Sequence, residues 1–133
     1  MKDIFKDVII KLASRSTCNR ANVGCVITKE DRIIASGYNG SLPGEPHCGD
    51  DNHLLIDNHC VRTTHAEMNA LMFCAKNGIN VEGCEMYITH SPCPLCTKLL
   101  IMAGITKVYY IKPYKITENP FITSIDTERM FDK

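Results

Sequence analysis

The starts of two separate helices, one carrying a histidine and the other a pair of cysteines, constrain this chain more than any other feature. His65-Ala66-Glu67 opens a predicted helix over 64–77, and Pro92-Cys93-Pro94-Leu95-Cys96 opens a second, predicted over 93–103. Cys93 and Cys96 are three positions apart, roughly 300° of helical turn, so both sulfurs can face one side. Three nitrogen and sulfur donors suit zinc and leave its fourth tetrahedral position for water. His65 and Glu67 are two positions apart, roughly 200° around a regular helix, and converge only where the helix begins. That geometry suits a carboxylate beside the metal rather than a fourth ligand. Zinc brings the pKa of its water from about 15.7 toward about 7, and a nearby carboxylate can take that proton and hand it to a substrate, the role expected of Glu67.

Each residue has a plainer reading alone. Glu67 could be a first-turn acid favoured by the helix dipole, His65 a satisfied buried histidine, and the Cys-x-x-Cys a redox pair or a structural zinc site. Their joint occurrence, in this order and on two helix starts, favours the catalytic metal.

The flanking sequence predicts how the two starts are carried. Ile4, Phe5, Val8, Ile9 and Leu12 form one stripe of a 3.6-residue period, an amphipathic helix. Val23–Thr28 and Arg32–Ser36 are β-branched runs joined by Lys29-Glu30-Asp31, a hairpin. Glu85–Thr89 and Lys107–Ile111 read as strands, Asn77-Gly78 stops the first of the two helices and Gly104 the second. The order αββαβαβ implies a three-layer α-β-α fold with a mixed central sheet, parallel where a helix crosses over. The tail after Tyr114 shows turn signals and a short apolar FITSI stretch and yields no assigned element. With no repeat, linker or low-complexity tract, residues 1–133 are expected to form one domain.

Composition limits the partners. Hydrophobic residues are 44% and charged residues 23% of the chain, and 15 basic side chains balance 15 acidic ones, so neither a nucleic-acid duplex nor an anionic membrane is an expected partner. No apolar run, Leu99–Ala103 included, comes near the roughly 18 residues of a membrane span, and the N-terminus carries no signal-peptide pattern. A cytoplasmic setting is expected. Eight cysteines without a secretory signal favour metal thiolates over disulfides.

Cys18, Cys48 and Cys60 flank or lie within a long Gly-, Pro- and Asn-rich loop over 37–60 that also holds His47, His53 and His59, donors enough for a second, closed four-ligand zinc site. The competing reading is that these cysteines are small buried hydrophobes. Cys25, Cys74 and Cys84 fall in a strand, a helix and a connection and read as inert core thiols.

The pairing of HAE with PCPLC matches the zinc-deaminase signature H-x-E…P-C-x-x-C. The chain resembles the cytidine/deoxycytidylate deaminase superfamily. SRSTCNRANVG, GYNGSLPGEPHC, CVRTTHAEMNAL and THSPCPLC look most like deoxycytidylate deaminases of the bacterial and phage type, over roughly residues 10–115. The resemblance implies zinc-dependent hydrolysis of dCMP to dUMP and ammonia, supplying dUMP for thymidylate synthesis, with hydroxide attacking C4 and Glu67 moving protons to N3 and the departing amine. It implies Cys18, Cys48, His53 and Cys60 as ligands of the second zinc, with His47 and His59 as runners-up. It implies that Asn39 contacts the deoxyribose, against the alternative that Asn39-Gly40 simply makes a turn. The Ala66 N–H is implied to meet the base carbonyl, and the Ser91 carbonyl the exocyclic amine. Arg20, Tyr114 and Lys115 are the implied phosphate contacts, with Arg15 and Arg62 in reserve.

Such enzymes are commonly oligomeric, and the resemblance implies a homo-oligomer, with a hexamer favoured. It also implies activation by dCTP and inhibition by dTTP, with Mg2+ accompanying a triphosphate effector. A free-cytidine or tRNA adenosine deaminase would share the HAE and PCxxC core. A non-catalytic zinc module that binds partners is the reading from another class, and it would have no use for Glu67 beside an open zinc position.

Overall fold

The computed structural model describes residues 1–16, 22–46, 54–56, 63–113 and 118–131, with 59–60 described by their backbone. Helix α1 (Lys2–Ala13) buries Phe5, Ile9 and Ala13, with Val8 and Leu12 partly buried beside them. Ile4, expected in this stripe, is instead 56% exposed. At 100° per residue it stands about 140° round the helix from Ile9 and faces away from the sheet.

Strands β1 (Gly24–Lys29) and β2 (Arg32–Tyr38) form the expected antiparallel hairpin, with Lys29 opposite Arg32. The two turn residues, Glu30 and Asp31, have φ of 51° and 60°. Two positive φ values in a two-residue loop match the right-handed twist of the strands, but a Cβ in that region costs about 1–2 kcal/mol per residue. Replacing Glu30-Asp31 by Asn-Gly is therefore expected to stabilise the fold by about 1 kcal/mol, read as a rise in the thermal unfolding midpoint; an unchanged or lower midpoint would contradict this account of the turn.

Short pairings follow the hairpin. β3 (Gly40–Ser41) pairs with β6 (Thr63–Thr64), and β4 (Leu55–Ile56) with β5 (His59–Cys60). Helix α2 (Ala66–Lys76), β7 (Glu85–His90), α3 (Pro94–Ala103) and β8 (Lys107–Lys112) complete the expected order. With a last strand, β9 (Asp126–Arg129), the main sheet runs β2-β1-β7-β8-β9, antiparallel on the hairpin side and parallel from β7 through β9.

Alternation along the strands builds two cores. Val26, Tyr87, Tyr109 and Ile111 point toward α1 and meet Phe5 and Ile9, with the Tyr87 and Tyr109 rings stacked at 4.4 Å. Cys25, Ile27, Met86, Ile88 and Val108 point the other way, against Ala70 and Leu71 of α2 and Leu100 of α3. A sheet covered on both faces needs nearly continuous apolar strands, and β1 and β7 are that. The result is the three-layer α-β-α arrangement with a mixed sheet.

The last strand, β9 (Asp126–Arg129), lies in the tail to which no element was assigned. It pairs in parallel with β8 after a connection holding one 3₁₀ turn, Ile122–Ser124. Its own side chains are polar or charged, while Ile125 before it and Met130 after it are buried. Lys107 reaches Glu128 at 3.2 Å and Asp126 at 3.8 Å, and Lys2 reaches Glu128 at 3.0 Å. A charged edge also discourages further strand pairing.

Topology brings the two helix starts together. β2 and β7 run in the same direction with β1 between them, and each is followed by a helix, so α2 and α3 both begin at one end of the sheet. Two glycines set the close spacing. A Cβ on Gly37 would stand 2.4 Å from the Ala66 carbonyl oxygen, so β2 touches the first turn of α2. Gly104 ends α3 at φ 96°, where Leu100 O and Ile101 O accept the next two amides. Cys25, Cys74 and Cys84 are buried free thiols whose pKa values burial pushes up, in keeping with inert core positions. Among the described residues no helix is long and apolar enough to cross a membrane.

Candidate metal centre and active site

His65 is the N-cap of α2 and Cys93 the N-cap of α3, both in extended backbone conformation. Neither is the Ser, Thr, Asp or Asn that usually occupies this position. The His65 ring makes no capping bond to its own helix. Instead its Nδ1 lies 3.5 Å from Cys93 Sγ and 3.3 Å from Cys96 Sγ. Among the described residues these three are the cluster able to hold a metal ion, with one donor atom from each lying within 4.8 Å of the others. Zinc bonds of about 2.3 Å to sulfur and 2.0–2.1 Å to nitrogen, set tetrahedrally, place N and S about 3.6 Å apart, so the trio fits that ion.

The protonation chemistry agrees. The Cys93 thiol is pulled down to about 4, first by hydrogen bonding with Cys96 and, against the opposing desolvation, by His65 and the Cys96 amide. Cys93 Sγ accepts from Cys96 N–H at 3.4 Å, as the free amides of a helix start favour an anion. These contacts favour the thiolate of Cys93, the ligating form. Cys96 moves the opposite way, because it shares a proton with Cys93 and is itself buried. His65 is raised, chiefly by its hydrogen bond to Cys93.

Glu67, one residue inside α2, is only 4% exposed. Burial raises its pKa, opposed by its own backbone amide, by His65 and by a hydrogen bond from Cys96. A carboxyl held up in this way carries a proton more readily than a surface glutamate, which is what a proton shuttle requires. The convergence of His65 and Glu67 comes from the extended backbone at His65, so the two side chains do not follow the 200° separation of a regular helix.

The remaining expected residues divide into two groups. Asn39 and Ser91 are buried near the two helix starts, and Ala66 is fully buried as the first residue of α2. Asn39 exchanges two bonds with Val23, accepting the Val23 N–H at 2.9 Å on Oδ1 and donating its own N–H to the Val23 carbonyl at 3.2 Å. Neither Asn39 nor Gly40 has a positive φ, so the pair does not form the primed turn offered as the alternative. The Ser91 N–H bonds Lys112 O at 3.0 Å, tying the approach to Cys93 to the end of β8. Cys18, Arg20, His47, Cys48, His53, Arg62, Tyr114 and Lys115 lie outside the described residues, as do the side chains of His59 and Cys60. Arg15 is described, just beyond α1, with its N–H on the Leu12 carbonyl at 2.9 Å.

Sequence reasoning missed the residues that brace the site. Asn69 donates to Tyr38 O at 2.6 Å and accepts from Thr64 Oγ1 at 2.6 Å, binding α2 to the Tyr38–Gly40 segment. Thr97 and Asn119 perform a similar service for α3. Asn69 sits one turn after His65, a spacing that could have flagged it, whereas Asn119 carries no local signal.

The chain is similar over most of its length to known proteins. A family model for the cytidine and deoxycytidylate deaminase zinc-binding region matches residues 2–112. ComE operon protein 2 of Bacillus subtilis (strain 168) is 54% identical over 104 residues, which cover 78% of this chain and 55% of that protein. Deoxycytidylate deaminase of Enterobacteria phage T4 is 34% identical over 141 aligned residues, 77% of this chain and 73% of that one. The crystal structure of dCMP deaminase from the cyanophage S-TIM5 in complex with dCMP and dUMP superposes with a TM-score of 0.85 at 34% identity, covering 97% of this chain and 96% of that one.

Proposed function

The chain belongs to the cytidine and deoxycytidylate deaminase family, and on that premise we propose that it hydrolyses dCMP to dUMP and ammonia. The observation that carries this reading is the His65, Cys93 and Cys96 trio with the buried Glu67 carboxyl against it. A zinc ion held by the trio would supply the Lewis acidity that makes water a nucleophile near neutral pH.

Glu67 does the proton work. Its carboxylate accepts a proton from the attacking water and delivers it to N3 of the cytosine as the new C4–O bond forms. It then passes the second water proton to the exocyclic nitrogen, the C4–N bond breaks, ammonia leaves and a C4 carbonyl remains. In this reading the Ala66 N–H holds the base carbonyl, the Ser91 carbonyl orients the exocyclic amine, and Asn39 meets the deoxyribose.

The finer parts of the reading concern residues outside those described. Cys18, Cys48, His53 and Cys60 hold a second, structural zinc, and Arg20, Tyr114 and Lys115 receive the phosphate. The enzyme is a cytoplasmic homo-oligomer, a hexamer in the favoured form, activated by dCTP and inhibited by dTTP, with Mg2+ carried by the triphosphate.

The test is ammonia release from a panel of dCMP, dCTP, deoxycytidine and a tRNA anticodon stem, with zinc content measured in parallel and with dCTP or dTTP added. Preferred turnover of dCMP supports the reading. Folded, zinc-loaded protein that releases no ammonia from any cytosine substrate would make it a binding module instead. Two zinc ions per chain are expected, and a value near one would remove the structural site. Replacing Arg20 and Lys115 by alanine is expected to lower the ratio of dCMP to deoxycytidine turnover by about tenfold or more, the loss of charge-assisted bonds worth about 1.5–3 kcal/mol each. An unchanged ratio would place the phosphate elsewhere.

A further inference from the structure

We infer that Asn119, from the tail, is a positioning residue for the turn that presents Cys93 and Cys96. Asn119 is 5% exposed although its side chain is polar, and its amide is fully engaged. Nδ2 donates to the Pro92 carbonyl at 3.0 Å and to Thr97 Oγ1 at 2.9 Å, while Oδ1 accepts the Phe121 N–H at 3.1 Å. Because a backbone N–H can only donate, the Phe121 contact fixes which end of the amide is oxygen and so aims both Nδ2 protons at the turn.

The bonds continue to the metal ligand. Thr97, with no exposed surface, receives the Asn119 proton and donates its own hydroxyl to the Cys93 carbonyl at 2.8 Å, beside the Thr97 N–H on the same oxygen at 2.9 Å. The carbonyls on either side of the Cys93 Cα are therefore both tied to the Asn119–Thr97 pair. Prolines on each side of Cys93 have no N–H of their own to offer, so the turn depends on its carbonyls to hold its peptide planes. Those planes set Cys93 at φ −71°, ψ 168°, the backbone that aims its sulfur at His65.

The same bonds explain why the tail returns. The segment before β9 lies across the start of α3 and supplies the donors that Pro92 and Thr97 need, and β9 anchors that segment on the sheet. Partners that orient metal ligands are typically worth about 10–100-fold in metal affinity or activity. Aspartate at this position would set an acceptor against the Pro92 carbonyl, so shape alone could not replace the amide.

The inference rests on the zinc-deaminase reading, and its test is chosen to be legible without turnover. Full-length Asn119→Ala and Asn119→Asp proteins are compared with the parent for zinc affinity by competition with a chromophoric chelator. The thiolate-to-cobalt absorption of the Co2+-substituted proteins is recorded alongside. Both variants are expected to bind zinc about 10–100-fold more weakly and to show a shifted cobalt band, with kcat on dCMP falling more than KM rises. Thr97→Val, which keeps the side-chain shape and removes the relay hydroxyl, is expected to reproduce the loss, and adding Asn119→Ala to it should cost less than the two changes summed. Should the Asn119 variants fail to fold, Thr97→Val alone decides the matter. Parental zinc affinity and cobalt spectrum in the folded variants, with only a lower melting temperature, would overturn the inference and leave Asn119 a structural residue. If the parent binds zinc but deaminates nothing, the functional reading fails while the comparison of affinities still stands.

Discussion

Glu67→Gln is expected to lower dCMP turnover by at least about 10²–10⁴-fold while zinc remains bound. The glutamine amide has nearly the shape of the carboxyl and should occupy the same buried place beside Cys96, so the His65, Cys93 and Cys96 donors keep their geometry. What is lost is the ability to accept a proton from water and return it to N3 and the amine. Removing a buried carboxyl that desolvation disfavours as an anion is not expected to destabilise the fold. Steady-state kinetics with metal analysis of the same preparation checks this. A zinc-loaded glutamine variant with parental kcat would show that another group moves the protons, and one that loses its zinc would show that Glu67 helps hold the ion.

The second large effect lies outside the chemistry. Gly37→Ala is expected to cost about 1–3 kcal/mol of stability and about 100-fold in kcat/KM. The new methyl group would stand 2.4 Å from the Ala66 carbonyl and 3.0 Å from the Ala70 amide, both rigid backbone atoms, so β2 and α2 must separate. Ala66 is bracketed by His65 and Glu67, so any such shift moves the donor and the carboxyl together. A misplacement near 1 Å at a reacting centre is enough for a loss of that size. Urea unfolding and kinetics on one preparation test the two parts separately. An alanine variant as stable and as active as the parent would mean that the sheet and helix can slide apart without consequence.

Much of the frame was legible because its elements announce themselves locally. The β-branched runs of β1 and β2, the helix formers of α2 and the Gly104 stop of α3 each act within a few residues of themselves. Ile4 was misjudged because a stripe drawn from spacing alone cannot say which of its edges meets the sheet. β9 escaped notice because it is four residues long and carries only polar and charged side chains, which leave no apolar alternation to detect. Within the site, His65, Glu67, Cys93 and Cys96 stood out because a histidine and a thiol pair at ligand spacing on two helix starts, with a carboxylate beside them, are rare in combination. Asn69, Thr97 and Asn119 did not, since hydrogen-bonding side chains are ordinary anywhere until their partners are known.

The chain's chemistry, a histidine, a thiol pair and a lone carboxylate, is written in residue types and short spacings, because ligand preference and acid–base capacity belong to individual side chains. Their meeting is not. It arises because β2 and β7 run parallel around β1, because Gly37 lets the sheet touch the first turn of α2, and because Asn119 returns from the tail to hold the Cys93 turn. Those are long-range contacts between backbone atoms and buried amides, and only packing of the whole chain brings such groups within reach of one another.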